Sequence, residues 1–375
     1  FLLYMIKNEY KVIGVMSGTS LDGIDLALVT FNYNTNWSFT IDKAETISYS
    51  EEWVKQLRDL VSLTDEELQQ LDTDYTIYLA NVINNFIEKH SIETIDAVCS
   101  HGHTALHRPE EQLTYQIGNL PFLASTLQQN VVCDFRIQDV ELGGQGAPLV
   151  PIGDQLLFKD YEYCLNLGGF ANVSTMVDAK RIAFDICPVN IVLNAYVSKI
   201  GLAYDNGGTL ASKGTINQDL LNALNALPFY KETYPKSLGL EWVKAEVFPL
   251  IDNFNLSIEI TLRTVVEHIA IQIATVIKGD KTTSLLITGG GVFNTFLINR
   301  IRTLSNSNII IPSKEVIEFK EALIFGFLGV LKLRNENNCL ASVTGASRNH
   351  SSGKIQIYRK PSQKDINELL KETNR

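Results

Sequence analysis

Gly14-Val-Met-Ser-Gly-Thr-Ser-Leu-Asp-Gly-Ile-Asp25 is the stretch that decides the fold. It sets small, hydroxylated and acidic residues between two apolar runs. The run before it, residues 12–16, and the run after it, residues 24–33, both read as strands, the second alternating Ile24, Leu26 and Leu28 with smaller or more polar neighbours. The loop therefore joins strand to strand. A P-loop needs GxxxxGK(S/T) and a dinucleotide loop needs GxGxxG, each opening a helix. The stretch holds no lysine, and Gly14, Gly18 and Gly23 fit neither spacing. What it offers an anion is the N–H and O–H groups of Ser17, Thr19 and Ser20, with Gly18 and Gly23 free to adopt positive φ. Asp22 and Asp25 are then placed to hold Mg²⁺ through water, because this hard ion takes oxygen ligands and keeps part of its hydration shell. An ordinary Gly/Asp hairpin turn would show the same letters, and the loop alone does not separate the two readings.

The chain, at 375 residues, exceeds the size at which a single core stops growing, so two domains are expected. With 45% hydrophobic and 20% charged residues, it has the composition of a soluble globular protein. The net charge of −10 argues against a general nucleic-acid binder or a partner of anionic membranes. Apolar runs such as residues 322–331 are too short to span a bilayer. Phe1-Leu-Leu-Tyr4 lacks the basic segment and cleavage signal of a secretory peptide, and Met5 reads as the native start. Cys99, Cys133, Cys164, Cys187 and Cys339 are odd in number and mostly embedded in apolar runs, which points to buried thiols in a reducing cytoplasm. Cys99, His101, His103 and His107 cluster in sequence, but no C-x₂-C or H-x₃-H pair completes a closed zinc shell. Ser100-His-Gly-His-Thr104 is read instead as a strand-end loop offering donors to a ligand.

Two related halves emerge along the chain. In the first, the two strands are followed by a third near residues 39–48. A capping-box pattern, Thr64-Asp-Glu-Glu67, then opens a helix reaching about Glu88, with Leu68, Leu71, Tyr75, Tyr78, Leu79 and Val82 on one face. Strands at 95–100 and 131–134 follow, separated by a short helix near 121–129. The second half opens with three strand-like segments, 163–167, 171–177 and 182–185, before its helices. A long amphipathic helix, 257–278, leads to a strand at 284–288, a triple glycine 289–291 and a helix near 293–304. Each half leads with clustered strands and carries a glycine loop after its first strand, the second being Leu165-Asn-Leu-Gly-Gly-Phe-Ala-Asn-Val-Ser174. This is the pattern of a duplicated α/β domain.

With those stretches, Asp134-Phe-Arg136, Leu142-Gly-Gly-Gln-Gly-Ala-Pro-Leu-Val-Pro151, Pro235-Lys-Ser237, Thr288-Gly-Gly-Gly291 and Val343-Thr-Gly-Ala-Ser347, the chain resembles the anhydro-N-acetylmuramic acid kinase family over nearly its whole length. GVMSGTSLDG and LGGQGAPLVP are the most specific of these motifs. The resemblance implies the duplicated actin-like fold shared with sugar kinases and heat-shock ATPases, with ATP in a cleft between the two domains. We place the first domain at 1–150, the second at 151–334, and residues 335–375 packing back on the first. The resemblance also implies an enzyme that opens the 1,6-anhydro bond of 1,6-anhydro-N-acetylmuramic acid with water and phosphorylates the freed 6-hydroxyl from ATP, recycling cell-wall sugar. Carried over residue by residue, it makes Gly18, Thr19, Ser20, Leu21, Asp22, Gly23, Ile24 and Asp25 the phosphate loop. Gly168 and Gly169 become a second phosphate loop, and Gly289, Gly290 and Gly291 a turn near the adenosine. His101, Thr104, Arg136, Asn190 and Glu321, just before an apolar helix 322–331, fall on the sugar side, and Asp185 falls on the general base. A carboxylate at the end of the strand 182–185 is suited to take a proton from water attacking the anomeric carbon. Phosphoryl transfer itself asks mainly for alignment and charge neutralisation, which N–H loops and Mg²⁺ supply. The partners implied are ATP, a small sugar and a second copy in a homodimer, with no nucleic acid and no membrane.

One segment departs from the family's pattern. Thr-Gly-Pro-Gly-Asn usually follows the base, whereas here Asp185 is followed by Ile186-Cys-Pro-Val-Asn190. Cys187 and Val189 are expected to crowd the sugar and to leave its identity open. The alternatives are a kinase for a different anhydro or amino sugar, or a non-catalytic nucleotide-binding regulator. A pure nucleotide sensor has no use for sugar-side acids, and the retention of Asp185, Arg136 and Glu321 speaks against it.

Overall fold

The computed structural model describes residues 6–18 and 20–360. Thr19, Met5 with the segment before it, and the far end of the C-terminal stretch lie outside the described residues. The chain forms two compact units, Phe1–Gly153 with Glu321–Arg375, and Asp154–Lys320. Passage between them falls inside two helices, Pro151–Leu157 and Lys314–Leu333. The return to the first unit therefore comes at Glu321, ahead of the expected 335. No helix among the described residues is long and apolar enough to cross a membrane.

In the first unit, β1 (Glu9–Ser17), β2 (Gly23–Tyr33) and β3 (Trp37–Ser48) form an antiparallel meander. β4 (Ala97–Ser100) pairs parallel to β1, and β7 (Val131–Cys133) parallel to β4. Between them, β5 (His103–Arg108) and β6 (Leu113–Ile117) form a separate hairpin. On one face of the sheet, Ile13, Val15, Ile24, Leu26 and Leu28 pack with Leu68, Leu71, Tyr75, Leu79 and Val82 of the helix Asp65–Lys89. Each fully buried side chain of this kind stabilises the fold by about 1.5–3 kcal/mol. That helix starts where the sequence placed it: Thr64 Oγ1 accepts the Glu67 N–H, and Glu67 Oε2 accepts the Thr64 N–H. The opposite face receives the helix through residue 333. A Cβ on Gly14 would lie 1.9 Å from the Ala322 carbonyl oxygen, so the close approach of helix to strand requires glycine there.

The second unit repeats the plan. β8 (Tyr163–Leu167), β9 (Phe170–Val177) and β10 (Lys180–Pro188) form the meander, β11 (Ser284–Thr288) pairs parallel to β8, and β12 (Asn308–Ile310) parallel to β11. The spatial orders are β3-β2-β1-β4-β7, extended by β13 (Lys354–Gln356), and β10-β9-β8-β11-β12. One topology used twice is the duplicated actin-like α/β fold. The helix Ile258–Val276, capped by Ser257, lays Leu262, Val266, Ile269 and Ile273 into the second core.

Three expectations about element bounds change. β10 does not end at Asp185 but runs on to Pro188, with a β-bulge between Asp185 and Cys187. Glu321 does not precede a helix; it lies within Lys314–Leu333, just beyond a kink at Phe319 (φ −113°, ψ 16°). The β5–β6 hairpin is additional, and its turn is made by Gln112 at φ 57°, a left-handed residue without the glycine that would have marked it.

Candidate active site

The loop after β1 is built from its base upward. Ser17 is buried, its Oγ 2.6 Å from the Tyr49 hydroxyl and 2.7 Å from His103 Nδ1, and Tyr49 lies 2.5 Å from the Tyr75 hydroxyl. Burial pushes His103 down to about 4 and Tyr49 up to about 12, so the chain of hydrogen bonds is neutral at physiological pH. Ser17 is therefore tied inward and is not an anion ligand, which corrects the reading of its hydroxyl. Gly18 is half-buried, and a Cβ there would make only ordinary contact, the nearest atom being Ser20 Oγ at 3.5 Å. Neither Gly18 nor Gly23 has positive φ; Leu21 does, at 61°, and its N–H donates to the Gly18 carbonyl. Gly23 is required for another reason, since a Cβ there would meet the Ile47 carbonyl oxygen at 2.4 Å across β2–β3. Ile24 is fully buried in the core, so its side chain serves packing. Ser20 and Asp22 are exposed, and Asp25, half-buried on β2, accepts a hydrogen bond from Thr46 Oγ1 at 2.6 Å. Two carboxylates beside exposed loop backbone make a hard-oxygen donor set that fits a hydrated Mg²⁺.

His101 does not offer a free donor. Its Nε2 accepts from Arg136 Nε at 2.8 Å, which leaves the proton on Nδ1, donated to the Gly102 carbonyl at 2.8 Å. Burial first, and the Arg136 charge second, hold its pKa well below the ordinary histidine range. The ring thus orients Arg136, whose Nη1 also donates to the Gly146 carbonyl at 2.6 Å. Burial lowers the Arg136 pKa while the Glu321 charge opposes the shift, so the guanidinium and the exposed Glu321 carboxylate share one electrostatic neighbourhood. Thr104, half-buried on β5, stands opposite Gln116 of β6.

In the second unit, Asp185 is half-buried on β10. Its Oδ2 accepts the Leu238 N–H at 2.8 Å, and its own N–H donates to the Lys236 carbonyl. Burial raises its pKa above the usual aspartate value, with the Leu238 hydrogen bond opposing. Asp185 stands opposite Asn172 of β9, and Asn172 opposite Asn166 of β8. Their neighbours Leu165, Leu167, Ala171 and Val173 lie in the core, so the alternation of strands puts Asn166, Asn172 and Asp185 together on the other face. The two asparagines escaped the sequence reading, although the spacing of the three strands contained them.

The glycine loops of this unit divide their work. The Gly168 and Gly169 carbonyls accept the N–H groups of Val189, Asn190 and Ile191, and so satisfy the start of the helix Asn190–Ser198. Asn190 is the first residue of that helix. Gly289 has φ 85°, and a Cβ there would press on Asn166 Oδ1 at 2.5 Å; a Cβ on Gly291 would meet Leu167 Cβ at 2.7 Å. Gly290 alone of the three faces open space. Cys187 and Val189, expected to crowd the sugar, are fully buried in the apolar core of this unit.

The family model described as anhydro-N-acetylmuramic acid kinase matches residues 10–358. The chain is 34% identical to the anhydro-N-acetylmuramic acid kinase of Mannheimia succiniciproducens, over 94% of this chain and 99% of that relative. It is 31% identical to that of Haemophilus influenzae (93% and 98% covered) and 32% identical to that of Pasteurella multocida (94% and 97%).

Proposed function

The chain belongs to the anhydro-N-acetylmuramic acid kinase family, and from that premise we propose how its residues carry an ATP-dependent phosphorylation of 1,6-anhydro-N-acetylmuramic acid in cell-wall recycling. Asp185 acts as the general base. It takes a proton from water as the water oxygen bonds to the anomeric carbon; the bond from that carbon to the bridging oxygen breaks, and the freed 6-oxygen accepts the γ-phosphoryl group of ATP. The observation that carries the reading is the setting of Asp185, a carboxylate fixed by the Leu238 N–H and kept more basic than usual by burial. Asn172 and Asn166 extend that polar face and are positioned for sugar hydroxyls.

In the first unit, Arg136, held by His101 and Gly146, would bind sugar together with Thr104 and Glu321. Asn190 would join Asp185 on the sugar. The phosphate role goes to residues 18–25 and to Gly168 and Gly169, and the adenosine role to Gly289, Gly290 and Gly291. Asp22 and Asp25 would hold Mg²⁺ through its water shell, and the ion, when bound, supplies neutralisation of phosphate charge. We extend the proposal to a homodimer, and to a reducing cytoplasm, the second of which the five buried free thiols support. The test is ADP release with and without the anhydro sugar in ¹⁸O-water. Sugar-dependent ADP with ¹⁸O at the anomeric position of a phosphosugar is the expected result. ADP release indifferent to the sugar would instead favour a nucleotide-binding regulator.

A further inference from the structure

We propose that Asp139, Cys339 and His350 of the first unit form a structural site for one divalent transition-metal ion of the zinc class. All three are buried, and one ligand atom from each lies within 4.8 Å of the others, the only such group among the described residues. Cys339 Sγ is 3.0 Å from Asp139 Oδ1, and His350 Nε2 is 3.6 Å from the same oxygen. Ligands around a tetrahedral zinc, with bonds of about 2.0–2.3 Å, stand roughly 3.3–3.8 Å apart. The triangle therefore needs only small adjustments to close on an ion.

His350 supplies the independent pointer. Its Nδ1 is 3.1 Å from the Arg348 carbonyl, which places a proton on Nδ1, so that in the neutral ring the lone pair is on Nε2. That Nε2 is buried, has no hydrogen-bond partner, and is aimed at Asp139. A buried nitrogen left unpaired costs free energy, and a metal ion is the partner its lone pair suits. The backbone prepares the set as well. Cys339 and His350 are directly paired in an isolated antiparallel bridge, each N–H donating to the other's carbonyl, so their side chains start from one position.

Thiolate, imidazole and carboxylate together suit a borderline ion such as Zn²⁺ rather than Mg²⁺. Binding replaces the thiol proton, which leaves to solvent, and the resulting Asp⁻, Cys⁻, neutral His and M²⁺ sum to zero charge in a buried place. Thr344 Oγ1, 2.7 Å from Asp139 Oδ1, is the neighbouring oxygen for a fourth position. The other carboxylate oxygen already holds the Gly146 N–H at 2.7 Å. An ion here would thus pin the 339–350 segment to the 142–148 loop whose Gly146 carbonyl receives Arg136.

The test uses the untagged full chain, stripped with chelator and titrated with Co²⁺ and then Zn²⁺, with readouts that do not involve kinase activity. The expected result is one equivalent of Co²⁺ with a thiolate-to-cobalt charge-transfer band, displaced by Zn²⁺, and a Tm raised by Zn²⁺. Cys339→Ser should lose the band, and His350→Gln should weaken Co²⁺ by at least about 10-fold, the scale on which even outer-shell changes act. If stripped wild-type chain, folded by circular dichroism, shows no band, or if Cys339→Ser keeps it, the proposal is overturned and the cluster is a His–Asp ion pair with a buried thiol. Should a variant fail to fold, the wild-type band and Tm shift decide alone.

Discussion

Replacing Asp185 with Asn separates the chemistry of this position from its packing. The asparagine keeps the volume and an oxygen acceptor for the Leu238 N–H, now 2.8 Å from Oδ2, so the local hydrogen bond survives. What disappears is the proposed base. Loss of a general base costs about 10²–10⁴ in rate, or roughly 2.7–5.4 kcal/mol of transition-state stabilisation. Stability should move the other way. Burial raises the Asp185 pKa, so the folded state holds the proton more tightly than the unfolded chain. That favours folding fully below the unfolded value and is lost as pH climbs through the folded one, which leaves the ionised carboxylate a cost at neutral pH. Asp185→Asn is therefore expected to keep or raise Tm while sugar-dependent phosphorylation falls by at least 100-fold and ATP affinity stays within a few-fold. The wild-type kcat/KM should also fall on the acid side with a pKa above that of an ordinary aspartate, and the variant should lack this limb. The assay is coupled ADP release across pH, with Tm by scanning fluorimetry. Turnover within about five-fold of wild type at unchanged Tm would refute the assignment.

Gly18→Val and Asp22→Ala should weaken ATP-Mg²⁺ with Tm little changed, because a Cβ on Gly18 meets only ordinary contact with Ser20 and Asp22 is exposed; loss of sugar affinity alone in a titration would move the loop to the other ligand. Gly291→Ala should cost about 1–3 kcal/mol through overpacking on Leu167, whereas Gly290→Ala should melt like wild type and raise KM for ATP. Equal Tm for the two would show that the 289–291 turn relaxes freely. Restoring Thr-Gly-Pro-Gly-Asn at 186–190 should lower Tm, at about 1–3 kcal/mol for each core side chain truncated, and leave the preference among anhydro sugars unchanged; a shifted preference at constant Tm would return Cys187 and Val189 to the pocket wall.

The strands and long helices were legible because their signals are local. The capping box at Thr64 and the alternation of Ile24, Leu26 and Leu28 each depend on residues a few positions apart, and the structure places both as read. What escaped depends on partners far along the chain. His101 looks like a ligand in sequence, but Arg136, thirty-five positions on, consumes its lone pair. Ser17 looks like an anion donor until Tyr49 and His103 close over it. The turns at Leu21 and Gln112 take positive φ without glycine, so the letter that marks such turns was absent. Asn166 and Asn172 are ordinary letters until three strands are put in register.

The departure after Asp185 shows how one extra residue changes a functional reading. Side chains alternate strictly along a regular strand, so a strand continuing through 185–189 would put Cys187 and Val189 on the face of Asp185. The bulge breaks that phase. Asp185 opposes Asn172, but the next register pair is Cys187 with Ala171, and Ile186 is the extra residue. Cys187 thereby acquires the facing of Ala171, which lies in the core, and Ile186 and Val189 are buried in that core with it. Cys187 and the Asp185 carboxylate thus belong to opposite faces of β10, while Val189, at the start of the following helix, is buried in the same core as Cys187. Volume added on the core side falls among the buried residues of that core and changes packing. The polar face keeps Asp185, Asn172 and Asn166 in register regardless, and the family's own anhydro sugar is the substrate that this face is expected to accept.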